Sequence, residues 1–362
     1  MNGPEIPDFS NAVRLTGWQW IGVGVFTVSL IFGATPVWER VERFYPDPDY
    51  RMPYDLSNDY WLYERCSRLA AIHSDTVLVG DSVVWGQYVT REQTLSHYLN
   101  EQAHEEQFAN LGLDGAHPLA LAGLLEHYAG GVTGRNVILQ CNPLWMSSPK
   151  TDLQVDEDVP FNHTRLVPQF YPPIPAYKLT REKVSSRIGI VVEQHNSFSG
   201  WTTHLQQVYY DRTDIPTWTL DHPYDNPFAA VTRGLPPTED KLHHEPISWT
   251  KRGIEKQDIE WVDPETSLQW HAFQQAVEIL ERRGNRVFVL VGPFNEHMLT
   301  DESLQRHQKV KLAIETWLQE KNVPYLAPAP LPSELYADAS HPLSEGYEIL
   351  ARQVFEGLPW KK

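Results

Sequence analysis

Between Thr76 and Gly86 the chain reads TVLVGDSVVWG, a β-branched apolar run that stops at Gly80-Asp81-Ser82 before a second apolar stretch begins. A short Val/Leu run closed by glycine reads as a buried strand, with Ser82 on the tight turn that leaves its carboxyl end. The same grammar recurs. Phe108 to Leu113 opens into the turn Asp114-Gly115, Asn136 to Cys141 ends at Asn142-Pro143, Arg286 to Val291 enters GPFNEH, and Val323 to Leu326 makes a last short run. Helical periodicity fills the intervals: Trp61, Leu62, Arg65, Leu69 and Ile72; Leu95, Tyr98 and Leu99 within 94–105; 119–128; Leu268, Phe273, Val277 and Leu280 within 266–283; 304–321; and 344–355. Strands alternating with helices at this spacing predict an α/β fold with a parallel sheet. Such a sheet binds ligands at the carboxyl ends of its strands. A serine there, opening a helix, exposes its oxygen and leaves its own N–H free to face an oxyanion.

The first 60 residues do not belong to that pattern. From Trp18 to Val37 no charged residue occurs, and a stretch of about 20 apolar residues is the length a helix needs to cross a bilayer. Trp18, Trp20 and Trp38 lie near its ends, where indoles favour the membrane interface. The leading segment is not basic and Pro36-Val37-Trp38 is a poor cleavage site, so an uncleaved anchor is expected rather than a signal peptide. Arg14 precedes the span and Arg40, Arg43 and Arg51 follow it, so the charge count leans weakly toward a cytoplasmic body. The expected organisation is a tail over 1–17, an anchor over 18–38, a connector and first helix over 39–75, an α/β domain made of 76–143 and 264–362, and an insertion over 144–263. The insertion has one recognisable helix near 182–192, and a stretch this long without period reads as a lid, a binding region or a mobile surface excursion.

Charge narrows the partners. With 47 acidic against 30 basic residues the net charge is −17, and no Lys/Arg block stands out, so no nucleic-acid partner is expected. Two cysteines match no zinc spacing, and His243-His244 has no third ligand at helical spacing, so neither a metal nor a cofactor is expected.

Near the C-terminus, Asp338-Ala339-Ser340-His341 precedes the last helix. Three positions apart, the two side chains can share one turn, the carboxylate holding one ring nitrogen while the other faces outward as a base. Asn295 and His297 follow a strand end and are candidates for substrate contact. Asp81 reads as a hydrogen-bonding partner of its turn, and Asp114, His117 and Trp85 stand near strand ends with no spacing that singles them out.

In order along the chain, Gly80-Asp81-Ser82, the Asn110 to Gly115 block, Asn142 and Asp338 to His341 together resemble the SGNH (GDSL) family of serine esterases and acyltransferases. The resemblance spans about 76–355, insertion excluded. It implies a three-layer, flavodoxin-like α/β/α domain in which Ser82 attacks an acyl carbon, His341 carries the proton and Asp338 orients His341. It further implies an oxyanion hole from the N–H groups of Ser82 and Gly115 and the amide of Asn142. Two departures stand out: the family's Gly-x-Asn-Asp is here Gln140-Cys141-Asn142-Pro143, and Gly112 competes with Gly115. A membrane-anchored member resembles proteins that complete O-acylation of envelope polymers. That implies an acylated small molecule or glycan as substrate, a multi-spanning acyltransferase as partner in the same membrane, and a body outside the cytoplasm. Simple hydrolysis of a carbohydrate or lipid ester, and a silent glycan-binding scaffold, are the alternatives.

Overall fold

The computed structural model describes residues 15–177 and 183–360, so most of the expected N-terminal tail, with Arg14, lies outside the described residues. The chain divides into two units, one ending at Arg43 and the other starting at Phe44.

In the first unit, α1 (Gly17–Val41) is opened by a reciprocal cap in which Thr16 Oγ1 accepts from the Gln19 N–H and the Gln19 side chain accepts from the Thr16 N–H. It is longer than the expected 18–38 span and continues through Pro36. Its mean hydropathy over the best window is 1.7, and Trp18, Phe26 and Phe32 are exposed. Among the described residues this is the one helix long and apolar enough to cross a membrane.

The second unit is built on five parallel strands: β1 (Thr76–Gly80), β2 (Phe108–Gly112), β3 (Asn136–Cys141), β4 (Arg286–Val291) and β5 (Tyr325–Leu326). Their order is β2-β1-β3-β4-β5, the doubly wound order whose crevice opens between the first and third strands. In register, Gly80 lies opposite Gly112 and Val79 lies between Leu111 and Leu139. Successive side chains of a strand point to opposite faces, and two separate cores result. Val77, Val79, Val137, Leu139, Val287 and Val289 face one core, which also receives α2 (Tyr60–His73), α5 (Pro118–Tyr128), α10 (Leu268–Arg282) and α11 (Asp301–Glu320). Leu78, Ile138, Phe288 and Leu290 face the other, covered by α3 (Ser82–Trp85), α4 (Leu95–Ala103) and α12 (Ser344–Gly357). Helices on both faces of the sheet make the three layers.

The insertion leaves the carboxyl end of β3 and returns to α10, so the topology roots it at the ligand-binding edge. Among its described residues are four α-helices where the periodicity showed one: α6 (Val184–Gln194), α7 (Ser197–Tyr209), α8 (Ile215–Asp221) and α9 (Pro227–Ala230). The expected helix near 182–192 corresponds to α6, with residue 182 itself outside the described residues. α7 gave no apolar period because its buried positions are Gly200, His204 and Tyr209. Leu153, Val159, Val167, Ile174 and Ala176 form a small core of their own. Buried polar contacts join the insertion to the rest, among them those of His204 and Arg51. His204 Nδ1 lies 2.6 Å from Asp59 Oδ2, with neither side chain exposed. Arg51, also buried, donates to the carbonyls of Glu239 and Lys241 and, on the other side, to those of Gly86 and Val89 beyond α3.

Candidate active site

Ser82 opens α3 directly after β1, and the turn is locked by Asp81. The Asp81 carboxylate accepts from the Val83 N–H at 2.9 Å, from Asn142 Nδ2 at 2.8 Å and from Trp145 Nε1 at 2.8 Å, while the Asp81 N–H donates to Gln140 Oε1. One residue thus ties the end of β1 to the end of β3 across the crevice. From the other side Tyr347 of α12 donates its hydroxyl proton to the Val83 carbonyl at 2.6 Å.

His341 reaches this serine across 259 positions of chain: its Nε2 stands 2.8 Å from Ser82 Oγ. Asp338 holds the opposite nitrogen, with Nδ1 at 2.8 and 2.9 Å from its two oxygens, and also accepts from the N–H groups of Ser340 and His341 at 3.0 Å each. A carboxylate on Nδ1 leaves Nε2 to accept the serine proton. Burial by itself would raise the Asp338 carboxyl, but the hydrogen bond and charge of His341 and the two backbone donors outweigh it and bring it down to about 2. Burial likewise acts to lower His341, and the hydrogen bond and charge of Asp338, assisted by Asp81 and Asp114, raise it above the ordinary histidine value.

Of the three expected oxyanion donors, the N–H groups of Ser82 and Gly115 make no hydrogen bond among the described residues. Gly115 sits at φ 68°, a conformation that favours glycine, whereas Gly112 is a packing position where an added Cβ would lie 2.3 Å from the Trp85 nitrogen. The Asn142 side chain is partly engaged within the protein. One hydrogen of its amide goes to Asp81, and its oxygen accepts from the Leu144 N–H, which leaves a single hydrogen for any oxyanion.

Asn295 and His297, the candidates for substrate contact, both make hydrogen bonds within the protein. Asn295 is wholly buried and donates to the Asp338 carbonyl at 3.1 Å, while its own N–H donates to the Ala339 carbonyl. His297 is turned to the Leu331 carbonyl at 3.0 Å. The first props the loop that carries the acid, and the second is an exposed residue held through Nε2. His117 and Trp85 are structural as well: His117 caps α5 and Trp85 Nε1 donates to the Met52 carbonyl.

Several residues that the sequence did not mark complete the site. The Tyr88 ring lies 5.4 Å from the His341 ring, with the Arg252 guanidinium 5.0 Å above it and His244 at 5.3 Å. His163 donates from Nε2 to the Asp114 carbonyl at 2.7 Å, and since burial pulls this histidine down to about 4 it is neutral and accepts from the Tyr60 hydroxyl on Nδ1. The Asn162 amide stands where a Cβ on Gly115 would be, 2.3 Å from that position. Tyr88 follows Ser82 closely enough to be found by asking what a turn returns to the nucleophile. Asn162, His163 and Arg252 come from the insertion, where no periodic signal points at them. No group of three His, Cys, Asp or Glu side chains suited to a metal occurs among the described residues. His243 stacks on Tyr54 instead.

The arrangement supplies a hydroxyl in contact with a base, a carboxylate that orients the base, and two open N–H donors near the hydroxyl's turn, the parts an acyl-transfer reaction requires. No protein-family model matches this chain, and no curated protein matches it in sequence.

Proposed function

We propose that this chain is a membrane-anchored serine acyl esterase or O-acyltransferase of the SGNH kind. The observation that carries the reading is the continuous contact from Ser82 Oγ through His341 to the Asp338 carboxylate, at 2.8 Å on both sides of the imidazole. Ser82 Oγ attacks the acyl carbon as its proton passes to His341 Nε2. The tetrahedral oxyanion is met by the N–H groups of Ser82 and Gly115. When the ester C–O bond breaks, His341 returns the proton to the departing alcohol and the acyl group stays on Ser82. A second hydroxyl, from water or from an acceptor alcohol, gives its proton to His341 and takes the acyl group, which restores the serine. In the finer reading, which rests on the family resemblance, the body lies outside the cytoplasm and passes the acyl group to a cell-envelope glycan beside a multi-spanning acyltransferase. Hydrolysis is the second reading, since the same acyl-enzyme serves it whenever water arrives first.

The test uses the full-length chain in detergent, following p-nitrophenyl acetate turnover with and without an added oligosaccharide. Release of nitrophenol that disappears in Ser82→Ala is expected, with acylated sugar formed when the acceptor is present. Release that is the same in wild type and Ser82→Ala would overturn the proposal.

A further inference from the structure

Beside Gly115 lies a cavity of about 470 Å³, bounded by the connector, the Asp114-Gly115 turn and the insertion. The Asn162 amide that stands against Gly115 also lines it, so the cavity adjoins the expected oxyanion donors. Its wall is polar, with Ser57, Asn58, Thr164 and Gln207 among the lining groups, which suits hydroxyl-bearing matter better than an aliphatic chain.

The charged groups on that wall are Asp55, Asp114, Arg165 and Arg212, two of each sign. Arg212 is paired with Asp55 at 2.8 Å, and Arg165 with Glu193. Asp114 has no such partner: its carboxylate makes neither an ion pair nor a hydrogen bond among the described residues. The three histidines whose charge acts on it are engaged elsewhere: His341 with Asp338 and Ser82, His243 toward Glu239 at 3.3 Å and His244 toward Gln87 at 3.1 Å. Asp114 is therefore the charged group on that wall that makes no ion pair among the described residues, and it is the immediate neighbour of Gly115.

We infer that this cavity receives the alcohol portion of the ester and that Asp114 makes it a site for uncharged or cationic hydroxylated groups, closed to anionic ones. The inference rests on the acyl-transfer reading and adds to it the charge class of the substrate. An anionic alcohol bound in the cavity would lie a few ångströms from the Asp114 carboxylate in a half-buried setting, where like-charge repulsion costs on the order of tenfold or more in binding.

The experiment compares two nearly isosteric acetate esters, 4-acetoxybenzamide and 4-acetoxybenzoate, on the full-length chain in detergent, each rate divided by the ester's own hydroxide-catalysed rate. The expected result is a kcat/KM ratio of about tenfold or more in favour of the amide. Asp114→Asn should bring that ratio toward one and Asp114→Glu should keep it. The Asn variant separates this local charge from the acidity of the whole chain. A wild-type ratio near one, or a ratio that Asp114→Asn leaves unchanged, would overturn the inference. Calorimetric binding of the two intact esters to Ser82→Ala reads the same preference without turnover. Hydrolysis that survives in Ser82→Ala would count against the acyl-transfer reading instead, and the two failures are thereby distinguishable.

Discussion

The basicity of His341 depends on one carboxylate. His341 accepts the serine proton only when neutral, and Asp338 raises its pKa. Activity should therefore rise with pH through an ionisation above the ordinary histidine value. Asp338→Asn removes the negative charge, so the same ionisation should move to lower pH while the plateau falls on the order of 10⁴-fold. A pH–rate profile of both proteins checks this, and an unchanged midpoint would contradict it. At this scale the serine, the histidine and the acid were legible because each ends a recognisable strand or loop. The role of Asn295 was not. A polar residue after a strand end looks the same in sequence whether its amide meets a ligand or, as here, the Asp338 carbonyl. Asn142 was ambiguous for a related reason, since nothing in Gln140-Cys141-Asn142-Pro143 shows that Asp81 takes one of its hydrogens.

Among the elements, the insertion is where sequence and structure part most. The β-branched runs of the sheet are buried on both faces, so hydrophobicity alone marks them. The insertion is placed by polar contacts that leave no periodic trace. Asp59 both caps α2 by accepting from the Leu62 N–H and meets His204 of α7. Removing the histidine takes a hydrogen-bond partner from a buried carboxylate, at a cost of about 1–3 kcal/mol. His204→Ala should lower stability by that order in denaturant unfolding, with proteolytic cleavage appearing first within 144–263 while the sheet stays protected. Uniform protection across the insertion would contradict the placement. α6 was the exception, read near 182–192, whereas the helix-opening Asp214-Ile215-Pro216 of α8 went unread.

Taken whole, the molecule joins a helix able to cross a bilayer to an acidic α/β body whose insertion and acid-bearing loop meet over the end of β1. The strand order was legible only in outline, because alternation predicts parallel strands but not which neighbour each takes. The insertion was legible as a lid or binding region but the residues it brings to the site were not, since Asn162 and His163 act beside Gly115 from about 50 positions away. The central claim is that Ser82 is a nucleophile activated by His341. Its most direct measurement is the rate and site of fluorophosphonate labelling of the full-length chain, read by intact mass and peptide mapping. One adduct on Ser82 is predicted, absent in Ser82→Ala and slowed at least a thousandfold, roughly, in His341→Ala. A folded chain that takes no label on Ser82, or takes it equally fast without His341, would contradict the account.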